Sequence, residues 1–289
     1  MSAFEEKAWL SSYAEWTPAE VELGEDTILD IYDETLAKKS HKNALYFFGR
    51  TTTYAELDRQ VRSCAAGLKA FGVRPGDRVA LVMPNCPQFV IAFVATLKLG
   101  ASVVAHNPLY TEHELRGQFQ DHGARVAIMW DKAAGNLAGL RKDTPLETIV
   151  SVDMTKAMPK YMELALKYVP VKKLRESRNK LSGPAPDTIA FETLLSSAIG
   201  GDGHDLKRPE ITQDTTAVIL YTSGTTGEPK GAQITHGNFN HQMKAGKAWV
   251  RDLGRTDEKI FAVLPLFHVY GLALNLGSVS YTHLTLPTT

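Results

Sequence analysis

Residues 221–231 read Y-T-S-G-T-T-G-E-P-K-G, and the segments on either side decide how the chain is built around them. The five residues ending at Tyr221, A-V-I-L-Y, are apolar and largely β-branched, which predicts a buried strand. On the other side Ala232-Gln233-Ile234-Thr235 predicts a second short strand. The stretch between them is therefore a loop held between two strands. It carries three glycines (Gly224, Gly227, Gly231), four hydroxyls (Thr222, Ser223, Thr225, Thr226) and one lysine (Lys230). A polyphosphate calls for that mixture. Glycine lets backbone N–H groups approach phosphate oxygens, hydroxyls donate further hydrogen bonds, and lysine neutralises charge. The G-x-x-x-x-G-K-[ST] loop of nucleoside triphosphatases is not met, because Pro229 precedes Lys230 and Gly231 follows it. Pro229 also disfavours a helix starting there, which removes the helix-N-terminus cradle of that motif. Composition alone leaves an ordinary Gly/Thr-rich hairpin turn as the other reading.

Upstream of this loop, helices and strands alternate. Ile28, Ile31, Tyr32, Thr35 and Leu36 give one helix its apolar face, after an aromatic lead of Phe4, Trp9, Tyr13 and Trp16. A hairpin around Gly49-Arg50 follows. Thr53 and Glu56 then form a capping box for a helix whose inner face is Leu57, Val61, Cys64, Leu68 and Phe71. Strands are predicted at 79–83, 101–105, 125–130 and 148–152, with helices at 87–99 and from Thr111 to Gly123, and a poorly defined helix up to Arg141. This pattern predicts an α/β fold with a mostly parallel, doubly wound sheet and flanking helices. Beyond the loop, Thr235 caps a helix running to about Asp252, and 259–264 reads as a buried strand.

Composition narrows the classes of function. Formal net charge is zero, so nothing overall points to nucleic acid or another polyanion as partner. Cys64 and Cys86 lie in apolar patterns without metal-type spacing and read as reduced core residues, which favours a cytoplasmic location. The N-terminal residues lack the apolar core of a signal peptide. The most apolar segment, 89–105, is broken by Lys98 and Gly100 and divides better into a helix and a strand than into a membrane span.

Residues 154–185 depart from the pattern. Lys156, Lys160, Lys167, Lys172, Lys173, Arg175, Arg178 and Lys180 face only Glu163 and Glu176, with Tyr161, Leu164 and Tyr168 among the apolar residues between them. The segment reads either as a solvated surface insertion or as a basic amphipathic element making peripheral contact with an anionic inner-membrane face. The tail V-S-Y-T-H-L-T-L-P-T-T, 279–289, resembles the translation of a sequencing-library adapter joined to a truncated gene, and is set aside from fold reasoning as non-native.

The whole string at 221–231 resembles the signature loop of the adenylate-forming, AMP-binding superfamily. Within it, T-Y-A-E-L at 53–57, N-P-L-Y-T at 107–111 and L-P-L-F-H-V-Y-G at 264–271 are most similar to bacterial long-chain fatty-acid–CoA ligases. The resemblance divides the chain into a lead (1–26), an incomplete AMP-binding domain (27–278) and the set-aside tail. The adenine site, the hinge, the C-terminal domain and its adenylation lysine are expected beyond this chain.

The resemblance implies a two-step ligase. A carboxylate attacks the α-phosphorus of ATP, giving acyl-adenylate and pyrophosphate; coenzyme A then takes the acyl group and AMP leaves. Thr222, Ser223, Gly224, Thr225, Thr226, Gly227 and Lys230 are expected to hold the phosphates. Thr222 is also expected to bind Mg²⁺, although the acidic partner of that site belongs to a later motif. His268, Val269, Tyr270 and Gly271 are expected to line the substrate pocket. His268 offers no fixed negative charge to an amino group, which disfavours an amino-acid substrate. His106, His113 and His236 lie beside caps or turns and read as structural. The fragment is expected to be inactive alone, with no catalytic residue of its own. An aryl-acid (coumarate-type) CoA ligase and a non-catalytic nucleotide-binding fragment are the alternatives.

Overall fold

The computed structural model describes residues 7–22, 24–222, 228–251, 259–277 and 283–285. Chain order starts with helix α1 (Ile28–Lys39), the hairpin β1 (Asn43–Phe47) and β2 (Arg50–Thr53), and helix α2 (Tyr54–Ala70). Next come β3 (Arg78–Val82), α3 (Pro87–Lys98), β4 (Ser102–His106), α4 (Glu112–His122), β5 (Val126–Trp130), α5 (Asp131–Leu137) and β6 (Thr148–Val152). Two helices, α6 (Lys160–Tyr168) and α7 (Lys172–Leu181), occupy the basic segment, followed by β7 (Ile189–Ala190) and the short α8 (Phe191–Leu194) and α9 (Ser197–Gly200). The last stretch holds β8 (Thr216–Thr222), β9 (Lys230–Thr235), α10 (His236–Trp249), β10 (Lys259–Phe261), α11 (Val269–Gly271), a π-helical turn (Leu272–Leu276) and β11 (His283–Thr285).

Seven strands form the main sheet in the order β7-β6-β5-β3-β4-β8-β9, parallel throughout except for the antiparallel β8–β9 pair. Alternation along each strand sends side chains to two separate cores. Val79 and Leu81 of β3 join α2 and α3 on one face; Ala80 and Val82 meet Leu115 and Phe119 of α4 and Ala133 and Leu137 of α5 on the other. Helix α3 is buried from Pro87 to Leu97, which explains why its sequence up to Lys98 is mostly apolar all round.

The chain leaves β3 toward β4 through α3 on one face and leaves β4 toward β5 through α4 on the other. The carboxyl ends of β3 and β4 thus form a topological switch point, where open α/β sheets bind ligands. Capping boxes are present at Thr53–Glu56 and Thr111–Glu114, as their spacing predicts, and the latter helix stops at Gly123, whose φ is +66°.

The structure corrects the sequence reading at several places. Lys230 and Gly231 are strand residues, paired with Thr222 and Tyr221; the loop is the tip of a β-hairpin and shorter than its sequence signature. The expected buried strand at 259–264 is a three-residue strand with Phe261 half exposed and only Ala262 next to it buried. It ends early because it lies at the edge of a second, four-stranded sheet, β10-β11-β1-β2, that the sequence did not announce. Within the tail set aside from fold reasoning, the only described residues are His283–Thr285, whose backbone pairs parallel with β1 and β10. In the lead, Tyr13 packs edge-on against Trp249 of α10 at 5.1 Å, and Phe4 lies outside the described residues. Cys64 and Cys86 are free and fully buried. Among the described residues no helix is long and apolar enough to cross a membrane.

Candidate functional site

Strand β8, next to β4, ends at Thr222, and β9 runs back antiparallel beside it from Lys230. Thr222 and Lys230 stand opposite each other at the root of the tip, both exposed, with the Thr222 hydroxyl donating to the Lys230 carbonyl at 3.5 Å. Ser223, Gly224, Thr225, Thr226 and Gly227 lie outside the described residues. A cavity of about 470 Å³ adjoins the root, lined among others by Arg78, Asp121, His122, Tyr221, Glu228 and Lys230. Two cations and two carboxylates make this a strongly polar hollow.

Tyr221, the first residue of the loop signature, is anchored from below. Its hydroxyl donates to Asp121, with the Gln118 carbonyl 3.2 Å from the same oxygen, and its ring stacks on His106 at 5.8 Å. His106 ends β4, just before the turn at Pro108–Leu109, and is fully buried against α4. The hydrogen bonds fix both tautomers of a histidine pair. The Ala124 N–H donates to His122 Nδ1 at 3.0 Å, so the His122 proton sits on Nε2 and points at His106 Nε2, 3.2 Å away. His106 then carries its proton on Nδ1 and donates to Gln118 Oε1 at 3.0 Å. Burial pushes His106 down to about 4. Burial, with the charges of His106 and Arg78, pushes His122 down to about 2. Both are neutral at physiological pH.

The second group of expected residues follows a segment gripped by Asn85, which lies just past β3. The Asn85 amide donates to the carbonyls of Ala262 and Leu264, both at 2.9 Å, and its Oδ1 accepts from the Leu266 N–H at 2.8 Å. One side chain thus satisfies three backbone groups of the chain leading to His268. Asn275 adds a bond to the Leu264 carbonyl at 3.1 Å. Gly271 is a glycine by contact: a Cβ there would lie 2.1 Å from the Pro265 carbonyl oxygen. His268 is exposed and packs against Phe267, with ring centroids 4.9 Å apart. Val269 and Tyr270 are exposed as well. Because β3, β4 and β8 are parallel neighbours, Asn85 and the end of β8 bring Thr222, Lys230 and the segment leading to His268 to the same end of the sheet.

Tyr270 also borders an apolar cavity of about 580 Å³ between α10 and the π-helical turn, with Met243, Trp249, Ile260, Ala273 and Leu274 among its walls. Sequence reasoning missed this cavity, Asn85, and the His106–His122 pair. Asn85 carried a readable signal: a turn residue between Pro84 and Pro87, at the carboxyl end of a central strand. The histidines did not, since their pairing depends on how β4 meets α4. As for Mg²⁺, Thr222 supplies a single hydroxyl oxygen, and among the described residues no group of three His, Cys, Asp or Glu side chains could hold a metal. An ion there would draw its other ligands from substrate phosphates, water and the acidic residue expected in the later motif.

The model of the AMP-binding enzyme family matches residues 32–282. A long-chain-fatty-acid–CoA ligase of Bacillus subtilis is 32% identical over 268 residues, 92% of this chain and 47% of that protein. One from Haemophilus influenzae is 33% identical over 280 residues, 93% of this chain and 48% of the relative. A 4-coumarate–CoA ligase of Arabidopsis thaliana is 32% identical over 234 residues, covering 80% and 36%. The chain spans about half the length of the long-chain ligases it matches. Among solved structures, an anthranilate CoA ligase in complex with anthranoyl-AMP superposes with a TM-score of 0.74 at 23% identity, covering 92% of this chain and 45% of that one. A long-chain-fatty-acid–CoA ligase from Archaeoglobus fulgidus gives 0.73 at 20% identity, covering 96% and 50%. These last two likenesses establish the fold.

Proposed function

The chain belongs to the AMP-binding enzyme family, and from that premise we propose that the intact protein activates a long-chain fatty acid with ATP and passes it to coenzyme A. The observation that carries the choice of substrate is the apolar cavity beside Tyr270. Its walls offer aliphatic and aromatic surface from α10 and the π-helical turn, which suits an alkyl chain held by burial of apolar area. The fatty acid enters tail first, with its carboxylate toward His268 and the end of the sheet where the hairpin tip lies.

In the first step a carboxylate oxygen bonds to the α-phosphorus of ATP and the bond to the β-phosphate oxygen breaks, so negative charge builds on the departing pyrophosphate. Lys230 and the donors of residues 222–227 stabilise that charge. Thr222 and Tyr221 hold the root of the tip in place. His268 forms a wall for the carboxylate and transfers no proton. The thiol of coenzyme A then attacks the acyl carbon, the acyl–phosphate bond breaks and AMP leaves. Groups beyond this chain complete the adenine site, so the 289-residue chain does not turn over alone.

The test uses the full-length protein. Ala273→Phe narrows the cavity and is expected to raise KM for a long-chain acid about 10- to 200-fold while sparing a short one. An unchanged chain-length profile would place the acyl group elsewhere. A preference for coumarate over palmitate by the unaltered protein would favour the aryl-acid reading.

A further inference from the structure

We propose that the α6–α7 hairpin is a docking surface for an anionic lipid bilayer, a role that does not depend on which acid the protein activates. Helix α6 is apolar on two faces, and the core accounts for only one of them. Met162 and Leu166 pack inward, and Glu163, buried between them in sequence, is tied by Lys156 at 2.6 Å and Lys160 at 3.0 Å. On the outside, Tyr161, Leu164 and Tyr168 are 72%, 51% and 65% exposed. Their spacing of three and four residues aligns them as one stripe. The stripe runs on into the turn, where Val169 and Val171 are exposed too.

Charge surrounds this apolar stripe. Residues 160–181 hold seven Lys or Arg against two Glu, a net charge of +5, in a chain whose formal net charge is zero. The rest of the chain therefore carries −5, and the hairpin is its positive pole. Glu163 is already engaged, and Glu176 reaches only Lys172, at 4.0 Å. Lys173, Arg175 and Lys180 make no ion pair among the described residues. The Lys167 ammonium lies 5.1 Å above the Tyr168 ring, an arrangement that keeps cation and aromatic side by side at one level.

Exposed aliphatic and tyrosine side chains ringed by lysine match a headgroup layer over hydrocarbon: apolar groups enter the acyl boundary, tyrosine sits at the interface, and cations meet lipid phosphates. Leu164, Val169 and Val171 offer no stacking surface to a nucleic acid base, which favours lipid over RNA as the polyanion.

Vesicle flotation tests this with the 289-residue chain and with the full-length protein, on phosphatidylcholine alone and on an equimolar mixture with phosphatidylglycerol. Both proteins are expected to bind the mixed vesicles only, and less as salt rises. Joint replacement by Lys172→Glu, Lys173→Glu and Arg175→Glu is expected to lower partitioning on the order of 100-fold. Joint replacement by Tyr161→Ser, Leu164→Ser and Tyr168→Ser, which keeps every charge, is expected to lower it by about 10-fold or more. All six positions are exposed or nearly so, and far-ultraviolet circular dichroism verifies folding. Equal binding to neutral vesicles, no binding at all, or full retention by either variant would overturn the proposal. So would binding by the 289-residue chain that the full-length protein lacks, since the remaining half of the protein would then cover this face.

Discussion

Asn85 shows how much of the site hangs on single side chains. Its three hydrogen bonds hold the backbone that leads to His268. Asn85→Ala leaves the Ala262 carbonyl and the Leu266 N–H without their partner, while the Leu264 carbonyl keeps Asn275, and an unsatisfied buried group costs about 1–3 kcal/mol. We expect a drop of about 2–4 kcal/mol in denaturant stability, and in the full-length protein a loss of kcat. Unchanged stability would show that water replaces the amide. The histidine pair gives a second prediction at this scale. A base whose folded-state pKa lies below its unfolded value removes stability as pH falls, because the unfolded chain takes the proton first. With an unfolded value near 6.5, His106 held at about 4 and His122 at about 2 each cost about 2 kcal/mol at pH 5 relative to pH 8. The loss opens below about pH 6.5. Denaturant midpoints should fall across that window, and His106→Gln should flatten the profile; a profile that stays as steep would place the titration elsewhere. The residues that sequence could name, Lys230 and His268, sit in strings of mixed chemistry specific enough to read directly. Asn85 and His122 act through partners far along the chain, and no local pattern announces such a partner.

Elements were legible where their own ends carry the signal. Thr53, Thr111 and Thr235 each cap a helix by a side chain three residues back from its partner, and Gly123 stops α4 by adopting a left-handed φ. Thr235 has a further position: it ends β9 and caps α10, so it joins the β8–β9 hairpin to the helix that walls the apolar cavity. Thr235→Ala should cost about 1 kcal/mol, measured by thermal unfolding, and an effect of zero would mean α10 is held by packing alone. The π-helical turn is a different case. Just before it, only glycine fits at 271, because the Pro265 carbonyl oxygen lies 2.1 Å from where a Cβ would be, a contact made by chain curvature. Gly271→Ala should destabilise by about 1–3 kcal/mol and open the apolar cavity. The four-stranded sheet escaped the sequence for a related reason: its strands β10 and β11 are three residues each, too short for a period-two pattern to register.

At the scale of the molecule, a parallel sheet with helices on both faces places its ligand-binding edge before any loop is considered. The alternation of strands and helices was enough to predict that sheet, and Tyr221, Thr222, Lys230 and Gly231 of the string lie at that end of it. The route from edge to mechanism is the proposed part. It joins a phosphate-gripping hairpin to an apolar cavity through the segment that Asn85 holds. One measurement tests this claim most directly: ATP–pyrophosphate exchange by the full-length protein with a long-chain fatty acid, for the unaltered enzyme and for Lys230→Met. Exchange that requires the fatty acid and falls on the order of 100-fold in Lys230→Met is the predicted result. Exchange that ignores the fatty acid, or that survives Lys230→Met undiminished, would contradict it.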